Sequence, residues 1–346
     1  MNSAPVATVD LDLILAQTRE LWDEMRDQRI FITGGTGFFG CWLVESFCHI
    51  NRALGLGAQA TVLSRNPAKF AAKAPHLASD PAVSLLTGDV RSFDFPAGEF
   101  RFVIHAATET TGVQTPAELL STIVAGTERT LAFAAQSGAH KFLLASSGAV
   151  YGTQPAEVTH LPESYACAPD AANAYAVGKL AAERMCAEHQ VNRAQSVKFE
   201  VKIARCWAFV GPHLPLDAHF AIGNFIGDAM AGRTISIGGD GTPRRSYLYA
   251  ADLATWLWTI LFRAPALEPI NVGSAHDVSI RELAEIVAAT LAPATPIHIA
   301  KQAVTGALIS RYVPSVERAE KLLGLRATVD LAQAIRRTTE WYKRAE

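Results

Sequence analysis

No run in this 346-residue chain is long and apolar enough to cross a bilayer, which takes about 18 apolar residues in a row. The most apolar segment, Trp256-Leu-Trp-Thr-Ile-Leu-Phe262, is too short and reads as a buried helix. The five cysteines, at 41, 48, 167, 186 and 206, form no CxxC and no metal spacing, so no metal site is expected. Such an odd, sparse set without a secretory signal suits reduced thiols in the cytoplasm. An excess of charge is missing too: 31 Lys and Arg stand against 33 Asp and Glu. The densest basic pair, Arg244-Arg245, is too small for a nucleic-acid stripe, so neither nucleic acid nor a membrane is an expected partner. Repeats and low-complexity tracts are absent. Hydrophobic residues are plentiful at 49%, enough for a large core.

Residues 1–9 read as a loose tail. From Asp10, a candidate N-cap, the residues Leu11, Ile14, Leu15, Leu21, Trp22 and Met25 share one helical face. Residues 1–28 are therefore read as an N-terminal extension whose amphipathic helix packs on the main body. Apolar strands at 29–33, 60–64, 83–88, 102–107 and 141–147 then alternate with helix-compatible stretches, notably 38–53 and 116–137. Alternation of this kind implies right-handed crossovers and an α/β fold with a doubly wound parallel sheet of the Rossmann type, assigned to 29–210. A helix from Ala174 to His189 and a strand near 200–208 extend it. After Val210-Gly-Pro212 the rhythm changes to helices over 219–232, 250–262 and 279–291, with short strands at Ile235–Ile237 and Ile270–Val272. Residues 211–346 are read as mainly a smaller C-terminal substrate-binding lobe, interleaved with the first domain.

Phe31-Ile-Thr-Gly-Gly-Thr-Gly-Phe-Phe-Gly40 joins the first strand to a helix beginning near Phe38. A strand, a glycine-rich turn and a helix N-terminus present backbone N–H groups to a pyrophosphate. Gly34 would permit the tight turn, Gly37 the approach of a cofactor and Gly40 close packing of helix on sheet. Downstream, Tyr175-Ala-Val-Gly-Lys179 puts a phenol and an ammonium one helical turn apart. A lysine beside a tyrosine favours phenolate, which can exchange a proton with an alcohol oxygen as hydride moves at the attached carbon. Ser147, at the end of the fifth strand, lies at the sheet edge where ligands bind and can hydrogen-bond the same oxygen.

These motifs resemble the extended short-chain dehydrogenase/reductases, in the nucleotide-sugar epimerase/dehydratase branch. The resemblance runs from residue 29 to the C-terminus and includes Gly88-Asp89-Val90, His105-Ala-Ala107, Ser146-Ser-Gly-Ala-Val-Tyr-Gly152, Gly239 to Arg245, Tyr249-Ala-Ala-Asp252 and Asn271-Val-Gly273. It implies Tyr175 as acid/base, Lys179 on the nicotinamide ribose and Ser147 as the third catalytic hydroxyl. Gly34, Gly37, Phe38, Phe39 and Gly40 would hold the pyrophosphate, Asp89 and Val90 would lie by the adenine, and Ala106 and Ala107 would line the cofactor channel. Asn224, Arg245 and Arg311 match positions that hold the nucleotide diphosphate. A homodimer through helices 116–137 and 174–189 is implied by the same analogy.

Four departures shape the expectation. Gly148 and Ala149 stand where dehydratases carry Asp-Glu, and neither can move a proton, which argues against a 4,6-dehydratase. The second strand ends Ser64-Arg65 where NAD-preferring members place an acidic residue; a hydroxyl and a guanidinium suit a 2′-phosphate and favour NADP over NAD. Ala208 and Ile123 replace asparagines common in relatives. The leading expectation is hydride transfer at C4 of a nucleotide-activated hexose by a 4-keto reductase of deoxysugar or polysaccharide synthesis. The alternative is a 4-epimerase that recycles bound NAD. A non-catalytic nucleotide sensor is the rival from another class, and the Tyr-Lys pair speaks against it.

Overall fold

The computed structural model describes residues 4–108, 115–191, 199–218 and 220–345. The chain opens with α1 (Thr8–Thr18) and a 3-10 turn over Arg19–Met25, then alternates through β1 (Arg29–Thr33), α2 (Phe38–Leu54), β2 (Gln59–Ser64), α3 (Pro67–Lys73), α4 (Pro75–Ala78), β3 (Val83–Thr87) and β4 (Phe102–His105). The second half of the sheet follows as α5 (Pro116–Gln136), β5 (Lys141–Ser147), α6 (Ala174–Val191) and β6 (Glu200–Cys206). Beyond it come β7 (Phe209–Val210), α7 (Ala221–Met230), β8 (Ile235–Ile237), β9 (Arg244–Ser246), β10 (Leu248–Tyr249) and α8 (Ala250–Arg263). The chain closes with β11 (Pro269–Val272), β12 (Asp277–Ser279), α9 (Ile280–Leu291), β13 (Ile297–Ile299), β14 (Arg311–Tyr312), α10 (Glu317–Leu323) and α11 (Leu331–Ala345).

Seven parallel strands form the main sheet in the order β11-β6-β5-β4-β1-β2-β3. The order reverses between β1 and β4, the switch point at which doubly wound sheets bind ligands. Side chains alternate across the pleat, so β1 sends Ile30 and Ile32 into one core with α2 and α8, and Phe31 into another with α5 and α6. The Trp256–Phe262 segment is a wholly buried helix as expected, packed on α1 and α2. Local chemistry starts the crossover helices: Thr115 and Glu118 make a reciprocal capping box ahead of Pro116 in α5.

Two expectations for the N-terminus fail. Asp10 is not an N-cap; α1 begins two residues earlier, and the buried Asp10 carboxylate accepts from the Tyr249 hydroxyl (2.7 Å) and pairs with Arg337. Nor are residues 4–9 a loose tail. The Val6 N–H donates to Glu45 Oε2 (2.7 Å), and the Ala4 carbonyl accepts from Trp341 Nε1 (2.7 Å). The extension is clamped between α2 and α11.

Candidate active site

The β1–α2 turn is shaped for close approach. Gly34 has φ +74°, and a Cβ there would fall 2.6 Å from the Ala106 carbonyl carbon, so no other residue fits the turn. Gly40 packs on Gly35, holding α2 to the turn. At Gly37, the N-cap of α2, a Cβ would meet nothing nearer than the Gly34 carbonyl oxygen at 3.5 Å, and no side chain caps the helix. Phe38 and Phe39 start α2, and Phe39 packs edge-on against Phe209. The uncapped N–H groups and the open face at Gly37 fit the pyrophosphate of a dinucleotide.

Around the adenosine end, the Ser64 hydroxyl accepts the Asn66 N–H (3.2 Å), and Asn66 in turn caps α3. Asp89 is gripped by Arg91 through Nε (2.8 Å) and Nη2 (2.9 Å). Those bonds hold its carboxyl below the usual range, and the nearby Arg65 guanidinium adds a smaller push the same way. Val90 is buried, its side chain turned to Gly126 on α5. The Ala106 and Ala107 N–H groups both donate to Thr33, to its carbonyl and its hydroxyl respectively (3.2 Å each). His105 lies between the Thr33 and Thr127 hydroxyls; burial first, and Lys179 second, push its pKa down to about 3, leaving the ring neutral.

Ser147, Tyr175 and Lys179 converge where β5 ends and α6 begins. Ser147 is buried; its oxygen accepts the Ala149 N–H (3.1 Å), and its hydroxyl works against the burial that raises the Tyr175 and Tyr312 phenols. Lys179 donates to the Thr108 hydroxyl (2.7 Å) and the Ala145 carbonyl (2.8 Å), with its nitrogen 5.8 Å from the Tyr175 ring centre. An ammonium has three N–H groups, so one remains for a cofactor ribose. The expected lowering of the Tyr175 pKa by Lys179 is corrected: burial dominates and pushes the phenol up to about 12, opposed by its bond to Ser147. Burial likewise brings Lys179 down to about 8.

Gly148 has a second reason for being glycine. A Cβ there would meet the Trp207 ring at 2.6 Å and the Tyr312 hydroxyl at 2.9 Å. The space beside position 148 is therefore filled by aromatic rings. Ile123 packs against Gly178 of α6, an apolar contact.

The diphosphate positions separate. Arg245 (β9) lies opposite Tyr312 (β14), and Arg311 opposite Arg244. Arg311 is tied to Asp277 (3.2 Å), which Arg244 also engages, so its fork is not free as expected. Arg245, part-buried, donates to the Arg244 carbonyl (2.7 Å) and meets no carboxylate among the described residues. Asn224 is half-buried on α7. Three guanidinium groups stand with two carboxylates, Asp277 and Glu282, and Arg245 carries the positive charge left over for a diphosphate. Among the described residues no His, Cys, Asp or Glu cluster could hold a metal ion, and no helix is long and apolar enough to cross a membrane.

Sequence reasoning missed Tyr312, Trp207, Thr108 and Glu183. A usable signal existed for the first two: a glycine directly after the candidate catalytic serine implies a bulky neighbour from elsewhere in the chain.

Residues 30–273 match the NAD dependent epimerase/dehydratase family. UDP-glucuronic acid decarboxylase 1 of Danio rerio is 26% identical over 323 residues, covering 92% of this chain and 73% of that protein. UDP-glucuronic acid decarboxylase 1 of Arabidopsis thaliana is 27% identical over 315 residues, covering 89% and 68%. The solved structure of MoeE5 in complex with UDP-glucuronic acid and NAD has a TM-score of 0.75 at 25% identity, covering 92% of this chain and all of that one. UDP-glucose 4-epimerase from Thermotoga maritima shares the fold, with a TM-score of 0.76 at 18% identity over 92% and 99%. The dinucleotide turn, the parallel sheet and a match over most of the chain agree: the protein belongs to the NAD-dependent epimerase/dehydratase family.

Proposed function

We propose that the protein transfers hydride at C4 of a nucleotide-activated hexose and returns it, interconverting C4 epimers with a retained NAD. The observation that carries this reading is the meeting of Ser147, Tyr175 and Lys179 beside a position 148 closed by Trp207 and Tyr312. A bound nicotinamide would supply the hydride acceptor and donor. Tyr175 would take the C4 hydroxyl proton and give it back, Ser147 would donate to the same oxygen, and Lys179 would hold the ribose with its remaining N–H. Arg245, with Asn224 beside it in role, would hold the diphosphate. Gly148 and Ala149 offer no group to remove a proton at C5 or to protonate a leaving hydroxyl, which speaks against dehydration. Relatives named for UDP-glucuronic acid make UDP the first base to try.

The 4-keto reductase is the second reading, favoured by Ser64-Arg65 and NADP. Its support is thinner in the folded chain: Ser64, which accepts a backbone N–H, keeps its proton for a phosphate, but Asp89 lies within the electrostatic reach of Arg65. The reading includes a homodimer through α5 and α6, which pack on each other.

Incubation with UDP-glucose, UDP-galactose and UDP-glucuronate, followed by proton NMR, tests this. The expected product is the C4 epimer, with no net change in nicotinamide absorbance. Stoichiometric consumption of NADPH by a 4-keto sugar would replace epimerase with reductase. Release of CO2 from UDP-glucuronate would put the protein with the decarboxylases it resembles, and a 4-keto-6-deoxy product would restore the dehydratase.

A further inference from the structure

We infer that Thr108 is the positioning residue of Lys179: its hydroxyl, turned so that the oxygen can only accept, forms with the Ala145 carbonyl a two-acceptor seat that aims the ammonium at the cofactor ribose. The inference rests on the cofactor-dependent reading above and adds to it a side chain from the segment that follows β4.

A threonine hydroxyl has one proton and two lone pairs. Here the proton goes to the Ala107 carbonyl at 2.7 Å, so toward Lys179 the oxygen is an acceptor. Lys179 Nζ meets that oxygen at 2.7 Å and the Ala145 carbonyl at 2.8 Å. The two acceptors come from the ends of β4 and β5, which are neighbours in the sheet. Two of the three ammonium N–H groups are thereby fixed, and the direction of the third follows from the tetrahedral nitrogen. With the Ala145 carbonyl alone, the other two N–H groups could sweep a cone about that one bond.

The seat is tied to the dinucleotide turn. Thr33 takes the Ala106 N–H on its carbonyl and the Ala107 N–H on its hydroxyl (3.2 Å each), and that hydroxyl also bonds His105 (2.8 Å). A Cβ at Gly34 would fall 2.7 Å from the Ala107 nitrogen, so the backbone leading into Thr108 lies directly against the turn. Lys179 arrives from α6, yet it is aligned on the same backbone that shapes the pyrophosphate site.

The titratable groups facing the ammonium are Tyr175 and Glu183 on α6, Cys206 on β6 and His105 on β4. His105 is neutral, and burial raises the Cys206 thiol to about 12. The Glu183 carboxylate is bonded by Arg205 and Ser146. Burial brings Lys179 down to about 8, and the two neutral acceptors work against it by bonding the charged form.

Thr108→Val keeps the shape and removes the acceptor, while Thr108→Ser keeps the hydroxyl. Calorimetry should show NAD bound about tenfold more weakly by the valine variant, as for one hydrogen bond to a charged group, and within about threefold of the parent by the serine variant. In a Lys179→Met background the valine substitution should change the affinity by less than about twofold, because no ammonium is left to seat. Carbon-13 titration of the lysines in cofactor-free protein, with the Lys179 signal assigned by its loss in Lys179→Met, reads the seat directly. The midpoint should fall by about one unit in the valine variant and stay in place in the serine variant. An affinity within about twofold of the parent for Thr108→Val, or an unmoved midpoint, would overturn the role of Thr108. So would a serine variant as weak as the valine one, or an undiminished loss in the Lys179→Met background. A parent protein that binds NAD and converts no nucleotide hexose would sink the hydride-transfer reading and leave the seat standing, since neither measurement needs turnover. A parent that binds neither NAD nor NADP would sink both.

Discussion

Glu183 and Arg205 meet in a buried, doubly bonded ion pair, Nε to Oε1 at 3.0 Å and Nη2 to Oε2 at 2.7 Å. The pair ties α6 to β6. Ser146 donates to the same carboxylate from β5, while Arg205 Nη1 donates to the Tyr151 hydroxyl (2.9 Å), which donates to Asn271 on β11 (3.0 Å). The elements carrying Ser147, Tyr175 and Lys179 are thereby held in one arrangement.

Removing one partner of such a pair strands a charge out of water. Glu183→Ala should lower unfolding stability by about 3–5 kcal/mol, read by urea denaturation. Glu183→Gln, which retains acceptors, should lose less. A loss below about 1 kcal/mol for the alanine variant would mean that water reaches Arg205 and that the network does not set the site.

Tyr175→Phe is expected to cut turnover at least a hundredfold while NAD affinity stays nearly constant, since acid–base groups contribute roughly 10²–10⁴-fold. Single-turnover assays give the number. Retention of more than about a tenth of parent turnover, with chemistry limiting, would remove Tyr175 from the proton path.

Much of the fold was legible in buried apolar runs and in the glycine turn, because both act locally: β1, β2 and β5 sit within a residue of their expected bounds. Misreadings came from partners far away in sequence. Asp10 looks like a cap until Tyr249 and Arg337 arrive from the other end of the chain. Arg311 looks free until Asp277 pairs with it. Tyr312 is invisible beside Gly148 because only the folded chain brings its ring onto Trp207 there. Lys179 was rightly placed on the face of Tyr175, yet its bonds go to Thr108 and Ala145, which no helical spacing reveals.

His213 should make stability fall with rising pH between about 6.5 and 9. The buried ring has Nε2 3.0 Å from Glu45 Oε1, and His76 bonds the same oxygen at 3.2 Å. Burial opposes a charged imidazole here, but the Cys41 sulfur and the Glu45 carboxylate outweigh it and raise the pKa to about 9. A folded pKa above the unfolded value means a contribution fully present below about 6.5 and lost as pH passes 9, up to roughly 3 kcal/mol. Lys179, depressed to about 8, works the other way above that pH. The informative quantity is therefore the difference between the parent and His213→Gln in melting temperature across pH 6 to 9.5. It should narrow as pH rises; a constant gap would show a neutral ring throughout.

Cofactor choice decides between the two readings of the reaction, and NAD is expected to bind more tightly than NADP. Ser64 and Arg65 close β2 with groups that suit a 2′-phosphate, but the Asp89 carboxylate lies near Arg65 and is kept ionised chiefly by Arg91. An added dianionic phosphate would have to share that guanidinium with a carboxylate. The site is partly exposed and salt screens it, so the preference should be modest, about threefold to tenfold. Calorimetric titration of cofactor-free protein with both nucleotides measures it. Asp89→Asn should then raise NADP affinity more than NAD affinity, by removing the charge that competes for Arg65. Arg65→Ala should weaken NADP selectively. Tenfold tighter NADP in the parent protein would bring the reductase forward and displace a recycled NAD. Equal weakening of both nucleotides by Arg65→Ala would instead place that side chain on the adenine face, where it reads nothing of the 2′ position.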